Sequence, residues 1–157
     1  MAQGKKRIYT VGTSNRSLEE FLEILRHWSM GQVVDVRRFP TSSRYPWFHK
    51  ESLARALVEA GVIYVPMGEE LGGYRKGGYQ AFTQTEVFRE AISRLESLAL
   101  QAPTALLCAE RLPWRCHRLI ISKILEAKGW QVTHILDKGR TWYPSPQQPL
   151  PLPQEEV

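Results

Sequence analysis

Short runs of β-branched and aromatic residues alternate along this chain with longer stretches whose apolar positions recur every three or four residues. Arg7–Val11 (RIYTV), Gln32–Val36 (QVVDV), Val62–Val65 (VIYV), Thr104–Cys108 (TALLC) and Gln131–Ile135 (QVTHI) have the composition and length of strands. Leu18, Phe21, Leu22, Leu25 and Trp28 follow helical spacing, opened by a capping box at Ser17-Leu-Glu-Glu20 and closed at Met30-Gly31. Glu51–Ala60 predicts a second helix with Leu53 and Leu57 inward and Gly61 placed for a left-handed cap. Thr83-Gln-Thr-Glu86 reads as another capping box, in front of a helix carrying Val87, Phe88, Ala91, Ile92, Leu95, Leu98 and Ala99. Pro113 introduces a last helix with Leu119, Ile120, Ile124 and Leu125 apolar, ended by Gly129.

Strand–helix alternation of this kind predicts an α/β three-layer sandwich: a mostly parallel sheet of about five strands with helices on both faces. Residues 1–137 form one domain. Residues 138–157 form a proline-rich tail, extended or disordered, because five of the ten prolines fall between Pro144 and Pro153. Two connections are long: residues 37–49, with two prolines, and Pro66–Gln84, which holds LGGYRKGGY. A connection of that length without its own secondary structure is often functional.

The bulk numbers place the chain among globular proteins: 157 residues, 43% apolar, 24% charged. There is no signal-peptide pattern and no apolar run of about 18 residues, so a cytoplasmic location and no membrane partner are expected. In that compartment thiols usually stay reduced, which favours free or metal-bound cysteines over a disulfide. The net charge is +5 and arginine outnumbers lysine fourteen to seven, a balance that favours anionic partners through bidentate contacts.

Where these charges fall is more informative than their number. In a parallel sheet every strand-to-helix loop emerges at the carboxyl edge, where ligands of open α/β sheets bind. Those segments hold Arg16, Arg37, Arg38, Arg44, Lys50, Arg75, Lys76, Arg111, Arg115 and Arg118, whereas the helix-to-strand returns hold essentially Lys128. An anion pocket at that edge is the reading, against the alternative of ordinary polar loops. Aromatics are interleaved with these charges; Phe48 and Phe82 suit packing, and Tyr74, flanked by glycine and followed by Arg75, suits ligand contact.

Both cysteines of the chain lie in CAERLPWRCHR, residues 108–118. Cys108 ends a strand; Cys116 and His117 fall near the start of the next helix, where the helix terminus and neighbouring arginines lower a thiol pKa. Cys108 can equally be a small buried hydrophobe. A metal site from Cys108, Cys116, His117 and a remote His134 is the weakest alternative, since there is no C-x-x-C.

Five segments together carry a resemblance: TVGTSN at 10–15, DVRRFP at 35–40, SSRYPWFH at 42–49, LGG at 71–73 and CAERLPWRCHR at 108–118. The chain resembles the uncharacterised family numbered 488 among domains of unknown function, over nearly its whole length to about residue 137. It departs from the family pattern at Thr13, where a histidine is usual, and at Ser43, where a further arginine is usual. The resemblance implies an α/β fold and a shared site, and singles out Asp35, Arg37, Ser42, Arg44, Cys108, Glu110, Cys116, His117 and Arg118; it implies no activity.

By chemistry, these and neighbouring positions divide into roles. Cys108, Glu110, Cys116 and His117 are the candidate catalytic groups. Arg37, Arg44, Arg115 and Arg118, with Thr13, Ser14, Asn15 and Ser42, are candidate anion contacts; hydroxyl, amide and backbone groups of Thr13–Asn15 can meet an oxyanion. Asp35 either orients Arg37 or acts as a base. Tyr74 and Arg75 are candidate loop contacts. No G-x-G-x-x-G and no G-x-x-x-x-G-K-[ST] occurs, so ordinary dinucleotide or P-loop triphosphate binding is disfavoured; no cofactor and no metal are expected. Three functions follow: thiol-dependent chemistry on a phosphorylated or nucleic-acid-like anion, a nucleic-acid-binding module without turnover, and thiol redox or sulfur transfer.

Overall fold

The computed structural model describes residues 6–113 and 116–143. In chain order the elements are β1 (Arg7–Gly12), α1 (Leu18–His27), β2 (Gln32–Asp35), α2 (Lys50–Glu59), β3 (Ile63–Pro66), α3 (Gly68–Leu71), α4 (Tyr79–Phe82), α5 (Glu86–Gln101), β4 (Thr104–Cys108), α6 (Arg118–Ala127), β5 (Gln131–Asp137) and β6 (Arg140–Trp142). The six strands form one sheet in the order β3-β2-β4-β1-β5-β6, parallel except for the β5–β6 hairpin.

Side chains alternate across each strand, so one sheet builds two cores. Val33, Ala105 and Leu107 face Phe21 and Leu25 of α1 and Leu53 and Leu57 of α2. Val34 and Leu106 face Phe88, Ile92 and Leu95 of α5 and Ile121 and Leu125 of α6. Helices cover both faces of the mostly parallel sheet, a three-layer α/β sandwich. Within the described residues no helix is long and apolar enough to cross a membrane.

The α1 capping box forms: Glu20 N–H donates to Ser17 Oγ at 3.0 Å and Ser17 N–H to Glu20 Oε1 at 2.8 Å. Four local expectations are corrected. The N-cap of α5 is Thr85, which accepts from Phe88 N–H; Thr83 is consumed by the last turn of α4, where its N–H donates to Tyr79 O. The Pro66–Gln84 connection is not structureless, because it contains α3 and α4. The last helix begins at Arg118, five residues beyond Pro113. The sheet gains a sixth strand, because Asp137-Lys-Gly-Arg140 turns the chain back onto β5, with Gly139 N–H donating to Asp137 Oδ1. Residues 144–157, most of the proline-rich tail, lie outside the described residues.

The sheet order determines where a ligand can sit. β4 lies between β1 and β2. Its outgoing connection turns to the α5–α6 face, whereas those of β1 and β2 turn to the α1–α2 face. The loops diverge above the carboxyl end of β4, which opens a crevice at a topological switch point.

Candidate functional site

The crevice comprises two adjoining cavities that share Arg37, Thr41 and Ala109. The first, about 380 Å³, is lined by Arg38, Phe39, Gly73, Tyr74, Cys108, Glu110, Cys116 and His117 in addition to the shared residues. The second, about 340 Å³, adds Thr13, Ser14, Asn15, Ser42 and Tyr45. A separate cavity of about 580 Å³ runs between α4, α5 and α6. It is lined by no thiol, imidazole or carboxylate; a smaller cavity of about 260 Å³ brings Asp35, Glu69 and Glu70 together with Arg37, Arg38 and Lys50 but is lined by no thiol or imidazole, so the nucleophile candidates lie in the first.

Glycines let the loops converge. A Cβ on Gly12 would stand 2.1 Å from the Glu110 carbonyl oxygen, so only glycine lets the segment after β4 pass over the end of β1. A Cβ on Gly72 would stand 2.6 Å from Arg38 Cα, so the loop after β3 can press against the loop after β2. That second approach brings Tyr74 beside Phe39, ring centroids 6.0 Å apart.

The two thiols meet at the floor. Cys116 Sγ is 2.9 Å from Cys108 Sγ, and both cysteines are buried and free. Cys116 Sγ also lies 3.6 Å from His117 Nδ1 and accepts from the Arg118 backbone N–H at 3.5 Å. His117 Nε2 is 3.2 Å from the Val36 carbonyl oxygen, which can only accept. Nε2 therefore carries a proton, and in the neutral ring Nδ1 faces Cys116 as an acceptor.

Burial alone would raise both thiol pKa values. Cys108 is pushed well up, by burial first and then by its contact with Cys116. For Cys116 burial is outweighed by the Cys108 hydrogen bond, the Arg118 charge and the Arg118 N–H, and the thiol is held below its ordinary value. With Cys116 protonated, its S–H donates to Cys108 Sγ; once Cys116 ionises the direction reverses, and Cys108, the thiol with the raised pKa, becomes the donor. The Glu110 carbonyl oxygen lies 3.4 Å from Cys108 Sγ, and the Glu110 carboxylate accepts from Leu112 N–H.

The arginines divide differently from their expected roles as anion clamps. Arg37 is buried and committed to Asp35 through Nε at 2.9 Å and Nη2 at 2.8 Å, and its Nη1 donates to Phe48 O at 2.7 Å. Burial pulls its pKa down, but the Asp35 hydrogen bonds and charge outweigh this and raise it. Asp35 also accepts from Arg37 N–H and from Tyr64 Oη–H at 2.5 Å, so its carboxylate is spent on orientation and has no vacancy for a base role. Burial and the Asp35 charge push the Tyr64 hydroxyl up.

Arg118 is not at the rim either: it is 0% exposed. Its Nη2 donates to Arg111 O at 2.7 Å, and its Nε and Nη1 have no hydrogen-bond partner among the described residues. It acts on the crevice through its field and its backbone N–H. The signal was available, because Arg118 shares a helical face with buried Ile121, Ser122 and Leu125. Arg16, also buried, donates to Gly12 O and Leu136 O. Burial, and next the charge of Arg111, lower its pKa to about 10.

The other candidates separate as follows. Arg75 stacks on Phe82, 3.7 Å from the ring centroid, and donates to the Gly72, Gly68 and Glu69 carbonyls, so it clasps the loop end of α3. Arg44 is exposed and is not among the residues lining the described cavities. Thr13 and Ser14 line the second cavity, but their backbone N–H groups donate to Cys108 O and Ala109 O and are not free for an oxyanion. Ser42 Oγ accepts from Tyr45 N–H. Arg115 lies outside the described residues.

Arg38, Phe39 and Thr41 line the crevice without having been singled out as site residues. They follow Arg37 in the loop that leaves β2, three to six residues beyond Asp35, and their place in that carboxyl-edge loop was the signal. Arg38 is half-buried, makes its one side-chain hydrogen bond to Tyr74 O at 3.4 Å, and pairs with no carboxylate among the described residues. Among those residues no group of three His, Cys, Asp or Glu is placed to hold a metal. His134 is buried on β5 with Nδ1 2.7 Å from Thr10 Oγ1.

Comparison with curated proteins and with solved structures gave no match. A family model does match, over residues 17–125, and this span runs from the α1 cap through DVRRFP, LGG and both cysteines into α6. The chain therefore belongs to the family described as Domain of unknown function DUF488.

Proposed function

We propose that this chain performs thiol-dependent chemistry on a small anionic ligand held in the crevice above β4, with Cys116 as the nucleophile. One observation carries the reading: Cys116 is a lining residue of the cavity, and its sulfur is in contact with a second thiol, an imidazole nitrogen and a helix-start N–H. Ionisation sends the Cys116 proton to His117 Nδ1, and Val36 O holds the ring in position through Nε2–H. Cys108 then stabilises the thiolate by donating its own S–H. The anion preference comes from Arg38 and from buried Arg118, neither of which pairs with a carboxylate among the described residues.

The test is protection. At low ionic strength, inorganic phosphate is expected to slow iodoacetamide alkylation of Cys116 saturably, followed by mass spectrometry of the Cys116 peptide. An alkylation rate independent of phosphate concentration would overturn the anion reading.

A second reading is supported by the sulfur–sulfur contact. Two buried thiols lining one cavity, Cys116 held below its ordinary pKa and Cys108 held above its own, match the pairing of an attacking and a resolving thiol in disulfide exchange. Loss of two thiols and 2 Da on treatment with a disulfide reagent, abolished in Cys108→Ser, is its expected signature.

A further inference from the structure

We infer that the ligand of this crevice is a nucleotide: Phe39 and Tyr74 form a stacking platform for its base, and Arg38 beside them holds its phosphate. The inference rests on the anion-binding reading above and adds the substrate class.

Three observations converge on it. Phe39 is 63% exposed and Tyr74 61% exposed, although both line the cavity that contains Cys116. Large rings left in water are unremarkable singly; two in contact at the mouth of a reactive cavity form a binding surface. Tyr74 holds φ +61, a backbone conformation that a bulky side chain adopts only at a cost and that clusters at ligand clamps. The strain is maintained by its surroundings, because Gly72 packs against the Arg38 backbone and Arg38 Nη1 donates to Tyr74 O.

Arg38 joins the platform to the charge. Its guanidinium lies 5.5 Å from the Phe39 ring centroid, so the cation and both rings share one rim. Neighbouring aromatic rings and a guanidinium with no carboxylate partner among the described residues match a purine or pyrimidine joined to a phosphate, since every base offers a π-face and every nucleotide an anion. A benzoate-like acid would use the same cation with a smaller stacking surface. The cavity, about 380 Å³, is at the small end of the roughly 300–1,000 Å³ typical of ligand sites, which suits one nucleotide unit rather than several.

The experiment titrates the full chain by calorimetry with a nucleoside 5′-monophosphate, the matching nucleoside, inorganic phosphate and a single-stranded oligonucleotide. Cys116 alkylation is followed in parallel. The monophosphate is expected to bind more tightly than phosphate or nucleoside alone. Phe39→Ala/Tyr74→Ala, folded by circular dichroism, is expected to weaken it at least about fivefold. Arg38→Met is expected to weaken monophosphate and phosphate alike. Binding of the oligonucleotide but not the monophosphate identifies the nucleotide as part of a strand. A monophosphate and an oligonucleotide that bind no better than phosphate overturn the inference, as does a double alanine variant that binds both like the wild type. If phosphate protects Cys116 but the base adds nothing, only this inference fails. If the nucleotide binds and Cys116 alkylates unhindered, the platform stands and the thiol reading falls.

Discussion

Cys108 and Cys116 are 2.9 Å apart at sulfur, yet their surroundings drive their protons in opposite directions. Cys108 ends a central strand with the sheet around it, whereas Cys116 precedes a helix whose first N–H and first side chain both present positive potential to its sulfur. The asymmetry comes from topology: the strand-to-helix turn after β4 folds its two ends back onto each other over eight residues.

Arg118 should trade stability for thiol acidity. A buried cation with two nitrogens that lack a partner among the described residues is a cost that apolar replacement removes. Arg118→Met is expected to leave urea stability unchanged or raise it, by up to about 4 kcal/mol, while the Cys116 pKa rises. An unchanged Cys116 titration in this variant would show that the Arg118 field does not reach the thiol.

Asp35 and Arg37 show the opposite case. Asp35→Asn leaves the Arg37 charge buried without its counter-ion, and a loss of about 3–5 kcal/mol is expected in chemical denaturation. A loss under about 1 kcal/mol, as for exposed ion pairs, would mean that the pair is solvated.

Gly72→Ala tests the loop packing that presents Tyr74. Its φ of −72° suits alanine, so the cost is space alone: the added methyl meets Gly68 O at 2.4 Å and Arg38 Cα at 2.6 Å, both backbone atoms. Destabilisation of about 1–3 kcal/mol is expected from thermal unfolding. A neutral result would show that the two loops are not packed together.

His134 gives a pH signature. Burial, followed by the charges of Arg118 and Lys123, lowers its pKa from 6.5 to about 3. The unfolded chain therefore binds a proton between those values that the folded chain refuses. Stability is fully present above about pH 6.5 and falls toward pH 3, by an amount on the order of 5 kcal/mol. In His134→Gln this part of the pH dependence should vanish; a wild-type profile that is flat from pH 6.5 to pH 4 contradicts the assignment.

The layers of the fold were legible because they rest on periodicity. Short apolar runs such as QVVDV and TALLC read as strands buried on both faces, and three-to-four spacing specified which side of α1, α2 and α5 faces inward. The carboxyl-edge location of CAERLPWRCHR followed from parallel topology alone. Direction of individual side chains was less legible. Arg37 could be anion clamp or ion-pair partner, and only the turn of the chain after Asp35 decides this. The Phe39–Tyr74 contact joins residues 35 apart through a close approach that glycine permits but does not announce. β6 escaped notice because a three-residue strand is too short for a periodic signal, although Lys138-Gly139 has turn chemistry.

The most direct measurement is the rate of Cys116 alkylation by iodoacetamide from about pH 5 to about pH 10, read peptide by peptide so that Cys108 is scored separately. A Cys116 midpoint below the roughly 8.5 of a free thiol, with Cys108 unreacted until far higher pH, is the predicted result. Two thiols that titrate together at or above that value would contradict the central claim.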